Sequence, residues 1–152
     1  MPIAVGQTAP DFTLKDQSQN PVSLKDYRGK NVILAFYPLD FSPVCTKEHA
    51  CFQEDFSQFQ GLNAEVLGIS VDSAWAHKAF AEKLGIQHKL LADFHPKGEV
   101  AGKYGLYLED KGITNRATVI IDKEGVVRYI KVYDIPQQRE NQELVEALKE
   151  LS

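Results

Sequence analysis

The chain has 152 residues, of which 43% are hydrophobic and 25% charged, and a formal net charge of −4. That length suits one domain with a substantial core of its own, and the composition is that of an ordinary globular protein, which sets aside disordered and membrane classes. With lysines and arginines scattered rather than gathered, the acidic balance offers no general attraction for phosphate backbones, so nucleic acid is not an expected partner.

In chain order, the segment from Met1 to Asp11 lacks a basic stretch followed by an apolar one, so no secretory signal is expected. No apolar run is long enough to span a bilayer, and no membrane contact is expected. Phe12 to Lys15 and Val22 to Leu24 flank a polar stretch and predict an N-terminal hairpin packed on the main sheet. Val32 to Tyr37 is a short apolar run without alternation, the pattern of a central strand buried on both faces. Pro43 to about Gln60 reads as a helix with Val44, Phe52, Phe56 and Phe59 available for its core stripe. Val66 to Val71 repeats the buried-strand pattern, and Asp72 or Ser73 can cap a helix closed by Gly85.

Lys89 to Ala92 predicts a strand, Gly98 to Tyr104 a short helix and Ala117 to Ile121 another buried strand. Asp122 to Gly125 is a turn into Val126 to Val132, making an antiparallel hairpin. Asn141 to Leu151 closes the order as an amphipathic helix with Leu144, Val145, Leu148 and Leu151 inward. This order predicts a thioredoxin-like α/β fold: a central mixed β-sheet flanked by helices, with the N-terminal β-hairpin extension and an insertion around 88–113, as one domain over 1–152. Ligands of open sheets gather at the carboxyl ends of strands, where Cys45 falls.

Cys45 and Cys51 are the two cysteines. Without an export signal the expected compartment is a reducing cytoplasm, where a lasting disulfide would be unusual. Ser42 is a natural N-cap and Pro43 suits the first helical position, placing Cys45 in a first turn whose unpaired amides and dipole favour a thiolate. The position three residues on, where a redox dithiol would have its second cysteine, is Glu48. Cys51 is six residues away, about 120° around a regular helix and roughly 9 Å along it, so a disulfide with Cys45 needs the helix to unwind.

Pro38, Ser42 and Cys45, with the distant Arg116, follow a pattern of proline, three residues, serine or threonine, two residues, cysteine. This constellation resembles the peroxiredoxin active site, and the likeness covers nearly the whole chain: Gly6 to Leu14, the strand before the motif, Thr46 to Glu48 after the cysteine, and Arg116 before a buried strand. It is similar in particular to bacterioferritin-comigratory-type and one-cysteine alkyl hydroperoxide reductase E-type enzymes. The resemblance implies a thiol-dependent peroxidase acting on hydrogen peroxide, organic hydroperoxides or peroxynitrite, with Cys45 passing through a sulfenic acid. No metal or organic cofactor is implied. It also implies regeneration by an external thiol (thioredoxin, a glutaredoxin-type protein or a low-molecular-weight thiol) and a homodimer, for which Phe41, Trp75 and Phe94 are interface candidates as well as core candidates.

Energetics agree that such a cysteine needs an arginine. A free thiol with a pKa of about 8.5 is only a few percent ionised at neutral pH, and lowering it by roughly 2.5 units takes about 3.4 kcal/mol. A helix terminus supplies roughly 0.3–1 kcal/mol. A guanidinium 4 Å away supplies about 4 kcal/mol at an effective dielectric near 20, which makes Arg116 the expected partner and a donor to peroxide oxygens. Pro38 is expected to shield the sulfur from water. Within the resemblance, Glu48 orients the arginines, with Arg139 as the second one. Cys51 reads as a helix-packing residue, with a resolving role in an atypical two-cysteine cycle as the alternative; no cysteine follows to serve a partner-tail mechanism. Arg128 reads as a surface charge. Two other readings are a copper-binding module using Cys45 and His49, and a thioredoxin-like reductase or redox chaperone, against which Glu48 argues.

Overall fold

The computed structural model describes residues 3–134, 137 and 141–151. A seven-stranded sheet runs in the order β2-β1-β5-β4-β3-β8-β9. Its centre is β3 (Asn31–Phe36), parallel to β4 (Ala64–Ser70), which is in turn parallel to β5 (Lys89–Ala92). On the other side β8 (Arg116–Ile121) and β9 (Val127–Tyr133) continue antiparallel, joined by the tight turn at Gly125, whose φ of +84° explains its glycine. Every residue of β3 and β8 is buried, as expected for strands covered on both faces.

The N-terminal hairpin forms from β1 (Thr13–Lys15) and β2 (Pro21–Ser23). Rather than lying on the sheet it extends the sheet's edge, through the single pairing of Lys15 with Ala92 of β5. Within the insertion a two-stranded ribbon of β6 (Tyr107–Leu108) and β7 (Ile113–Thr114) was not foreseen; strands of two residues carry no periodicity to read.

The helix expected as one piece over 43–60 is two: α1 (Pro43–Glu54) and α2 (Phe56–Gly61). The chain breaks at Asp55, whose carboxylate accepts a 2.9 Å hydrogen bond from the Asn141 amide at the start of α5 (Asn141–Glu150). That tertiary contact lies 86 residues away in sequence, beyond any local pattern. Phe52 and Phe59 are buried as expected, while the side chains of Val44 and Phe56 lie outside the description. The remaining helices are α3 (Ala74–Leu84), capped by Ser73 and closed by left-handed Gly85, and α4 (Glu99–Lys103).

Strand parity divides the core. Val32, Leu34 and Phe36 join one cluster with Tyr104 and Val100, whereas Ile33 and Ala35 join Phe52, Phe59, Leu144, Val145 and Leu148 beneath α1, α2 and α5. On β8, Ala117, Val119 and Ile121 belong to the first cluster and Ile120 to the second, so Arg116 and Thr118 share Ile120's face and look toward α1.

Gly68 of β4 lies opposite Ala35 of β3, with His49 of α1 packed over it. A Cβ there would meet Leu90 Cδ2 at 2.9 Å, His49 Cε1 at 3.0 Å and Tyr37 Cε1 at 3.3 Å. Gly68→Ala is therefore expected to destabilise the protein by about 1–3 kcal/mol, read as a lower denaturant midpoint with an unchanged slope. An unaltered midpoint would show that α1 has slack to move.

Candidate active site

The first turn of α1 begins at Pro43, with extended Ser42 (φ −68°, ψ 149°) in the N-cap position. Cys45 is thus the third helical residue, beside amides that have no partner within the helix. Its neighbours at three, four and seven residues on are Glu48, His49 and Phe52, which form one inward stripe with it. All four are buried, and Cys45 has no solvent exposure.

Ser42 holds the expected position but does not cap. Its hydroxyl donates to the Leu39 carbonyl at 2.9 Å instead of accepting from a helix amide. The proton of Oγ is thereby committed to the loop, and its lone pairs remain able to accept.

Arg116, at the start of β8, reaches α1 as the strand parity requires. Its Nη2 donates to Cys45 Sγ at 3.4 Å, and its Nη1 donates to Glu48 Oε1 in an ion pair. The planar fork thus spans thiol and carboxylate from one rigid group, an arrangement that a lysine ammonium cannot copy. Arg116 and Glu48 are each 1% exposed, so their attraction acts with little solvent screening. Pro38 is buried in the loop that leaves β3.

A polar cluster behind this loop had no counterpart in the sequence reading. The Tyr37 hydroxyl donates to Asp40 Oδ1 at 2.5 Å, and His77 Nδ1 lies 2.7 Å from Asp40 Oδ2. The Asp40 amide donates to Asp72 Oδ2 at 2.8 Å, and so does the Ser70 hydroxyl at 2.6 Å. Burial beside Asp40 holds the Tyr37 hydroxyl well above its usual range, and burial also raises the Asp72 carboxyl. Asp40, Asp72 and His77 lie close enough together to suggest cation ligands, but these groups already satisfy one another.

His49 pairs with His88, Nδ1 to Nε2 at 2.9 Å, with the rings stacked. That partner replaces the copper pairing with Cys45 considered from sequence. Desolvation lowers His88 to a pKa of about 3. An unfolded chain takes up that proton near the ordinary value of 6.5, so stability present at neutral pH is lost as pH falls below 6.5 toward 3. The slope approaches about 1.4 kcal/mol per pH unit. In His88→Leu, denaturation midpoints measured from pH 7 to pH 4 should fall less steeply than in the wild type; parallel curves would count against a neutral buried His88.

Of the remaining predicted residues, Cys51 is half-buried and lies off the Cys45 stripe. Arg139 lies outside the described residues. Arg128 is the expected surface charge, 3.2 Å from Asp122. Phe41, Trp75 and Phe94 are not core residues: they are 49%, 70% and 56% exposed. Among the described residues no helix is long and apolar enough to cross a membrane.

The model of the AhpC/TSA family matches residues 5–130. Over 149 residues the chain is 39% identical to alkyl hydroperoxide reductase E of Mycobacterium tuberculosis, covering 97% of each protein. It is 38% identical over 150 residues to the chloroplastic peroxiredoxin Q of Sedum lineare, covering 98% of this chain and 80% of that protein. The crystal structure of AhpC from Enterococcus faecalis superposes with a TM-score of 0.90 at 36% identity, covering 99% of this chain and 92% of that one.

Proposed function

Because the chain belongs to the AhpC/TSA family and is a thiol-dependent peroxidase, we propose that Cys45 is its peroxidatic nucleophile, served by Arg116, Ser42 and Pro38, with Glu48 orienting the arginine. The observation that carries this assignment is the 3.4 Å approach of Arg116 Nη2 to the Cys45 sulfur inside a dry site. Neither a packing cysteine nor a structural thiol needs a buried guanidinium.

Cys45 attacks as the thiolate. The S–O bond forms at the terminal peroxide oxygen while the O–O bond breaks; sulfur is oxidised to sulfenic acid, and the leaving oxygen takes a proton to give an alcohol or water. The Ser42 Oγ lone pairs accept from the O–H of the bound hydroperoxide, because the Ser42 proton is held by Leu39. As charge passes from sulfur to oxygen, the guanidinium beside it favours the transition state more than the ground state. An external thiol then attacks the sulfenic sulfur, expels water and leaves a mixed disulfide, which a second thiol resolves to free Cys45.

The reading includes a one-cysteine cycle. Cys45 and Cys51 lie on the same helix, α1, six residues and roughly 9 Å apart, beyond the span of about 7 Å that a disulfide permits. After one equivalent of peroxide without reductant, intact-mass spectrometry should show sulfenic acid or its trapped adduct. A loss of about 2 Da within one chain would instead establish the atypical two-cysteine cycle with Cys51 resolving.

A homodimer and a reducing cytoplasmic location complete the proposal. Phe41, Trp75 and Phe94 follow the carboxyl ends of β3, β4 and β5, three parallel strands, so their exposed rings gather at one rim of the sheet beside the cysteine loop. Burying such rings against a second copy supports association there.

A further inference from the structure

Pro38 and Ser42 stand on the loop between β3 and α1, which no strand ladder fixes in place. The loop turns inward at Asp40 and outward at Phe41. Phe41 has φ +66°, an uncommon conformation for a bulky residue, while its ring rests edge-on against Phe80 at 5.0 Å. Asp40 is what holds this turn. Its amide is bound to Asp72, one carboxylate oxygen to Tyr37, and the other to His77, with the Asp40 and His77 side chains 1% and 0% exposed.

Both ring nitrogens of His77 are engaged. Nε2 lies 3.0 Å from the Leu91 carbonyl, which can only accept, so Nε2 carries a proton. Nδ1 lies 2.7 Å from Asp40 Oδ2 and 3.3 Å from the Tyr37 hydroxyl. His77 sits on α3, against β5 and the cysteine loop, and joins these elements through one ring.

We propose that His77 is a positioning residue of the peroxide site: bonded at both ring nitrogens, it fixes Asp40, and through Asp40 the backbone on which the Ser42 hydroxyl and Pro38 depend. This rests on Cys45 being the nucleophile. His77 touches neither sulfur nor the described donors to it. Its loss should release the strained Phe41 turn and move Ser42, leaving Arg116 and the first turn of α1 in place.

The test compares two reactions of Cys45 in wild type, His77→Gln and Asp40→Asn: oxidation by cumene hydroperoxide and alkylation by iodoacetamide. Glutamine cannot bond both partners as the ring does, whereas asparagine can donate to a neutral His77 Nδ1 and accept from Tyr37. In His77→Gln the peroxide rate should fall by about 10-fold or more, while alkylation holds or rises as the loop opens. Asp40→Asn should keep most of the peroxide rate. A peroxide rate in His77→Gln within about 2-fold of wild type, or equal falls in both reactions, would overturn the proposal. So would an Asp40→Asn rate as low as that of His77→Gln. Nitrogen-15 NMR of the unmutated protein should show a His77 Nε2 proton that exchanges slowly with solvent, as its bond to Leu91 requires; rapid exchange there would overturn the anchoring of His77 even if the variants fail to fold. A wild type inert to peroxide would remove the Cys45 reading instead, and the NMR result would still decide whether His77 is anchored.

Discussion

Cys45→Ser is expected to reduce peroxide consumption in the presence of a thiol to the uncatalysed background, a loss on the order of 10⁴-fold or more. Serine fits the cavity and keeps the helix start, so folding should be nearly unaffected: the Cys45 sulfur contacts an arginine that stays paired with Glu48. A hydroxyl in the same place is not ionised by one guanidinium and a helix terminus, and it has no sulfur to accept the peroxide oxygen. Coupled turnover by wild type, Cys45→Ser and Cys51→Ser measures this. Cys51→Ser should retain the initial oxidation rate. Undiminished turnover in Cys45→Ser would end the account.

The second large effect belongs to Arg116, where catalysis and stability are entangled. Arg116→Ala removes the cation beside sulfur and the fixed donors near the reacting oxygens, and loss of one such donor alone costs about 10²–10³-fold. It also breaks the buried ion pair with Glu48, which is 1% exposed, and removing one member of such a pair costs about 3–5 kcal/mol of stability. Adding Glu48→Gln separates the two. The double variant should recover much of the denaturant midpoint, because both charges of the buried pair are removed together, while peroxide turnover stays low. If activity returned together with stability, Arg116 would be a structural partner of Glu48 and nothing more. Arg116→Lys should fall between, since an ammonium cannot span the Glu48 oxygen and the Cys45 sulfur as a planar fork does.

Much of this site is legible in sequence because its parts are local or stand at strand ends. Ser42, Pro43 and Cys45 announce a helix start after a buried strand, and the structure places Cys45 as the third residue of α1. Arg116 is legible as a charge at the head of an apolar run, and strand parity then turns it toward the thiol. What escaped was the use of polar groups in the interior. A search for an apolar stripe on α1 selects phenylalanines, so Glu48 enters only through the family resemblance and His49 only as a metal-ligand candidate, yet the buried face runs Cys45, Glu48, His49, Phe52. Those two residues are inside because each meets a partner supplied by another element, Arg116 from β8 and His88 from the segment before β5.

The same reasoning explains the Asp40 cluster. Tyr37, Asp40, Asp72 and His77 come from three separate stretches of chain, and each alone resembles an ordinary loop or helix residue. Their meaning lies in the crossing of the loop after β3 with the start of α3, which only the parallel pairing of β3 with β4 brings about. The break at Asp55 carries a contact of this kind too, its hydrogen bond from Asn141. The Ser42 side chain is the subtler case, since N-cap statistics place the residue correctly but misassign its bond, which the inward turn at Asp40 redirects to Leu39.

The central claim, that the thiol held by Arg116 is the one a peroxide oxidises, is tested most directly by trapping. Reduced protein is treated with one equivalent of hydrogen peroxide in the presence of a sulfenic-acid-specific probe such as dimedone, and the adduct is mapped by peptide mass spectrometry. The adduct should fall on Cys45, form in Cys51→Ser at the wild-type rate, and nearly vanish in Arg116→Ala. An adduct confined to Cys51, or one on Cys45 that forms equally fast without Arg116, would contradict it.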